Sequence, residues 1–94
     1  MAEYFDTLET RPHELREEQL FAGLRGQLVH ARQNSPHFGR SLPDMPMRDR
    51  SDLAGLPVLR KSDLIGIQRA EPPFGGLVAA PMAQLGRIFQ SPGP

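Results

Sequence analysis

Cysteine is missing from this chain of 94 residues, and so is tryptophan. Without a thiol there is no disulfide staple, no thiolate metal ligand and no cysteine nucleophile, a usage that fits a cytosolic protein. Neither sign of charge predominates. Eleven bases meet eleven acids, so bulk attraction to nucleic acid or to an anionic membrane has no basis. Lysine occurs once, at Lys61, and the remaining bases are dispersed arginines. One Tyr and five Phe are too few and too scattered to stack bases, which argues against nucleic-acid binding. Long apolar runs are also absent. The start, MAEYFDTLETRPHE, is acidic and has neither the basic nor the apolar part of a secretory leader, so a cytoplasmic chain with no membrane span is expected.

What is present is modest. Leu, Ile, Val and Phe make up 23 of the 94 residues, a little above the roughly 20% below which chains tend to stay disordered. Nine Gly and ten Pro predict short elements and many corners. One small domain, or part of a larger one, is the ceiling for this length.

A helix is expected from Pro12 to Asn34, with Leu20, Leu24, Leu28 and Ala31 on one face and Phe21 on the neighbouring stripe. Thr10 is a candidate cap, Pro12 suits the first turn, and Glu14, Glu17 and Glu18 sit near the positive end of the dipole. Gly23 and Gly26 weaken the interior, so tertiary packing must compensate. Ser35 before Pro36 ends the helix and caps a short second one, Pro36 to Ser41, which carries Phe38 inward. Pro43 and Pro46 make Leu42 to Met47 an extended crossing. Ser51 is expected to cap a short helix ending near Leu56, and a two-turn helix is expected from Arg60 to Gln68. Beyond Pro72-Pro73 the texture predicts a turn at Gly75-Gly76, a short strand at Leu77 to Ala80 and another at Arg87 to Gln90.

The fold class is therefore mainly α, a small helical subdomain over residues 1–69 with one or two short β-strands near the C-terminus, in a second segment 70–94. Sheet partners for that segment are not in the chain, so it is expected to be poorly anchored and the chain to be an opening piece of something larger.

Chemistry-bearing residues are sparse. His13, His30 and His37 never pair at the spacing that places two ligands on one helix face. Asp49 and Asp52 are three apart, but proline-flanked and unshielded, so capping accounts for them. Ser91-Pro92-Gly93-Pro94 follows an expected strand, where backbone N–H groups can cradle phosphate, yet two prolines remove two donors and a plain turn is favoured. Residues 19–69 carry net +4, which solvated helix faces explain better than an anion-binding surface.

Three stretches, FAGLRGQLVHARQNSPHF (Phe21 to Phe38), LAGLPVLRKSDL (Leu53 to Leu64) and EPPFGGLVAAPMAQLGRIFQSPGP (Glu71 to Pro94), together resemble the N-terminal part of phenylacetate–CoA ligases and their adenylate-forming, acyl-CoA synthetase relatives. Tyr4-Phe5 and the acidic start of the first helix are similar too. The resemblance implies a much larger cytoplasmic enzyme that uses ATP and Mg²⁺ to activate an aryl or arylacetic acid as an acyl-adenylate and passes it to CoA. Residues 70–94 would open its α/β large domain. Ser91 and Gly93 match the serine and glycine of that family's phosphate loop, while Pro92 and Pro94 depart from it, and Leu59 stands where the family often has a capping Thr.

No catalytic residue and no cofactor of its own is implied for this chain, which would be structural and inactive alone. Leu20, Phe21, Leu24 and Leu28 are then expected to dock on the rest of the parent polypeptide or on another copy. The alternative is a free-standing module that grips a partner helix with the Leu20/Leu24/Leu28 face.

Overall fold

A computed structural model describes residues 3–92. Asp6 opens the first element, its carboxylate accepting from Leu8 N–H (2.9 Å) to cap a 3₁₀ turn over Thr7–Thr10. Thr10 therefore does not cap the long helix. Its hydroxyl donates back to the Thr7 carbonyl, and the cap position falls to Pro12, whose carbonyl receives Arg16 N–H at 3.0 Å. α1 then runs His13–Asn34. Its end follows the proline rule: Ser35 is extended (φ −101°, ψ 118°) because Pro36 closes the α region to it.

Ser35 at once starts α2 (Pro36–Ser41), with Phe38 N–H donating to its hydroxyl at 3.3 Å. α2 folds back hard on α1. A Cβ on Gly39 would stand 2.9 Å from the Arg32 carbonyl oxygen, so only glycine permits this approach.

From Leu42 the chain is extended and returns alongside α1. Arg32 pairs with Asp44 (3.1 Å), Arg25 donates to the Met47 carbonyl (3.0 Å), and Arg50 grips Glu17 with two bonds of 2.9 and 2.8 Å. The lengths agree. Residues 17–32 rise about 22 Å along a helix, and residues 44–50 cover about 20 Å when extended. Side chains of the returning run alternate: Met45 is half-buried and Met47 buried, while Asp44, Pro46 and Arg48 are exposed.

Asp49, not Ser51, caps the 3₁₀ turn Arg50–Gly55. Its carboxylate accepts from both the N–H and the hydroxyl of Ser51. The next expected helix begins as a 3₁₀ turn, Lys61–Asp63, and becomes α3 only at Leu64–Ala70. Position 60 holds Arg, whose side chain gives no cap bond, and the Asp63 carboxylate instead accepts from Arg60 N–H at 3.1 Å.

No β-strand occurs among the described residues, so the strands expected at Leu77 to Ala80 and Arg87 to Gln90 are corrected. Ile88 and Phe89 are β-prone, but a strand is a ladder, and no second extended segment pairs with either run. Segment 71–77 is also better anchored than expected. Gly76 O accepts from His37 N–H (2.9 Å) and the Ser35 hydroxyl (2.8 Å), and Arg40 pairs with Glu71 (2.7 Å).

The core is small: among the described residues, Phe21 and Met47 are the buried hydrophobic side chains and Ser35 the buried polar one. The chain exposes 7732 Å², against about 5,400 Å² for a globular monomer of this mass. Its radius of gyration is 16.9 Å, where a compact domain of this length has about 12 Å.

Candidate functional site

Beside the return along α1, two places among the described residues bring distant residues together. One is the clasp at Ser35, where the NSPHF end of the first family-like stretch meets the PFGG of the third. Gly75 and Gly76 both have positive φ (67° and 71°), and a Cβ on Gly75 would lie 2.4 Å from Ile67 Cγ2. On Gly76 it would lie 2.7 Å from a Glu71 carboxylate oxygen and 3.2 Å from His37 N. The glycines are thus required twice, for the backbone angles and for the close approach. The turn itself closes through Gly75 N–H to Glu71 O at 2.6 Å.

The other is a groove of about 780 Å³ between α3 and the C-terminal segment. Leu64, Ile65 and Phe89 form its apolar walls; Lys61, Gln68 and Ser91 supply polar groups. It brings the phosphate-loop serine of the sequence resemblance to the chain's only lysine, a juxtaposition that no local pattern announced. Gly93, the other loop position, lies outside the described residues.

The groove does not fit a nucleotide phosphate by itself. A phosphate cradle needs several converging N–H donors, and here Pro92 has none while Lys61 is the one cation on the lining. Among the described residues, no three His, Cys, Asp or Glu side chains gather where an ion could be held. What the groove offers is an apolar wall with one charged group, Lys61, beside it.

The expected interface residues separate. Phe21 is buried within the chain and is not free to dock. Leu24 and Leu28 are half-buried, and Leu20 is 47% exposed. Each step of four along a helix drifts about 40°, so Leu20 lies some 80° from Leu28 and escapes the cover. A small cleft of about 190 Å³ remains between α1 and the returning segment, with Leu28, Arg32 and Met45 on its walls.

Two carboxylates are held below their usual range: Glu17 by the hydrogen-bonded Arg50 guanidinium, and Asp52 by the side chain and backbone N–H of Arg48. The first ties two distant segments, and the second is a local contact four residues apart. Met47 is the buried residue the sequence reading passed over, although the alternation of Met45 and Met47 in an extended run was its signal.

No family model, no curated protein and no solved structure matches the chain. No helix among the described residues is long and apolar enough to cross a membrane.

Proposed function

We propose that this chain is the N-terminal helical part of a phenylacetate–CoA ligase-like, adenylate-forming enzyme, and that its own role is structural. It docks on the α/β body of that enzyme and carries no catalysis alone. The parent activates an aryl or arylacetic acid with ATP and Mg²⁺ in the cytoplasm and transfers the acyl group to CoA.

The observation that carries this reading is the uncovered surface: roughly 2,300 Å² beyond a globular monomer's share, more than a standard protein interface buries in total. Much of the apolar part is C-terminal. Val58, Ile65, Ile88 and Phe89 stand 52–83% exposed, with Ile65 and Phe89 on the walls of the groove where sheet elements of a body would seat. The clasp supports it too, since it joins two of the three family-like stretches through Ser35 and Gly76. The rival module reading loses ground because Leu24 and Leu28 are already half-buried within the chain.

The test has two arms. Acid-dependent ATP–pyrophosphate exchange with phenylacetate is expected to be absent from the chain alone, and clear turnover overturns the structural role. Added to a phenylacetate–CoA ligase that lacks its own N-terminal helices, the chain is expected to bind and raise the melting temperature; no binding overturns the docking.

A further inference from the structure

α1 has a second apolar line, about a quarter turn round the helix from buried Phe21, and its Val29 end borders the cleft to the returning segment. Leu15, Ala22 and Val29 recur every seven residues, a drift of only about 20° per step, so they form one line along the helix. Leu15 is 40% and Val29 51% exposed, and Ala22 is exposed. Gly26 lies one turn beyond Ala22 on the same side, with no atom within 4 Å of where its Cβ would stand. A neighbouring helix can therefore approach closely along this line.

The charges beside the line choose the neighbour. Glu14 and Glu18 border its N-terminal half, Arg25 and Arg32 its C-terminal half, all on the same flank. A second α1 laid antiparallel about a two-fold axis at Ala22 puts Leu15 against Val29 of the other copy and Ala22 against Ala22. The same operation brings Glu18 beside Arg25 and Glu14 beside Arg32. A parallel pair would set these charges against the other flank of the second copy, where Gln19, Gly23 and His30 offer no carboxylate or guanidinium partner. Arg25 and Arg32 each spend one guanidinium nitrogen on the returning segment, at Met47 O and Asp44, and their other N–H donors remain.

We propose that two copies of this chain pair antiparallel through the Leu15/Ala22/Gly26/Val29 face of α1. The pairing uses a different side of the molecule from the groove, so it stands or falls apart from the ligase reading.

The chain's lack of cysteine makes the test clean. In A22C the new thiol lies on the two-fold axis and is expected to oxidise to a disulfide dimer. L15C and V29C, mixed, are expected to cross-link to each other and not to themselves. Light scattering on the unmodified chain should give twice the monomer mass at high micromolar concentration. E18R should weaken association at least tenfold, and the E18R/R25E pair should recover most of it, with the circular dichroism of helix retained throughout. A monomer at all concentrations, or self-linking of L15C and of V29C in place of the mixed product, overturns the proposal.

Discussion

Replacing Ser35 by Ala removes one oxygen from a site that is 2% exposed, and two bonds go with it. The first is the cap on α2, where the hydroxyl accepts from Phe38 N–H, a loss of about 1 kcal/mol. The second is the 2.8 Å donation to Gly76 O, which holds the 71–77 turn on the helices and contributes about another 1 kcal/mol. Gly76 O keeps its bond from His37 N–H, so no buried carbonyl is orphaned and the cost stays near 2 kcal/mol. For a domain of this size, 1 kcal/mol moves the melting temperature by about 4–8 °C, so S35A should melt about 8–16 °C lower. Thermal melts followed by circular dichroism, with urea titration as a second readout, measure it. S41A, at the exposed end of α2, is the control and should stay within about 0.5 kcal/mol of the parent. If S35A and S41A melt together, the clasp does not hold the two segments and the account of it given above is wrong.

Two glycines give opposite signs under the same substitution. G39A drives a Cβ into the Arg32 carbonyl and should destabilise by about 1–3 kcal/mol, whereas G23A meets open space inside a helix and should stabilise by up to about 1 kcal/mol; equal effects in chemical denaturation would contradict the helix packing. The Glu17–Arg50 tie depresses the Glu17 pKa, so its contribution is fully present above the unfolded carboxylate value and is lost as pH falls through the lower folded one. Stability measured below about pH 4 should therefore fall less steeply in E17Q than in the parent, and an unchanged acid slope would show the tie to be idle.

How much of this was visible in the residues depends on range. The α1–α2 boundary was legible because Ser35-Pro36 acts within three residues: proline bars the α region before it, and the serine hydroxyl reaches the next N–H groups. The extended crossing was legible from Pro43 and Pro46 for the same reason. Its course along α1 was not, since that is fixed by Arg32–Asp44, Arg25–Met47 and Glu17–Arg50, contacts that no window of sequence contains. The Ser35–Gly76 bond spans 41 residues, so the turn at Gly75-Gly76 was foreseen and its docking place was not. Ile88 and Phe89 misled because β propensity describes what a residue tolerates beside a partner, and says nothing of whether a partner exists. Of the candidate site, Ser91 was in view and Lys61 was not.

The returning segment and α1 advance at different rates, and this constrains how the chain can change length. One residue of the extended run covers about 3.3 Å, as much as two residues of helix. The two are meshed like unequal gears: a single-residue deletion between Asp44 and Arg50 would leave the guanidinium of Arg50 about 3 Å short of Glu17, toward the middle of the helix. Only loss of about two helical residues would restore the match, and that rotates every later position by more than half a turn. Insertions and deletions in either partner are therefore expected to be tolerated outside residues 17–50 and rejected within them.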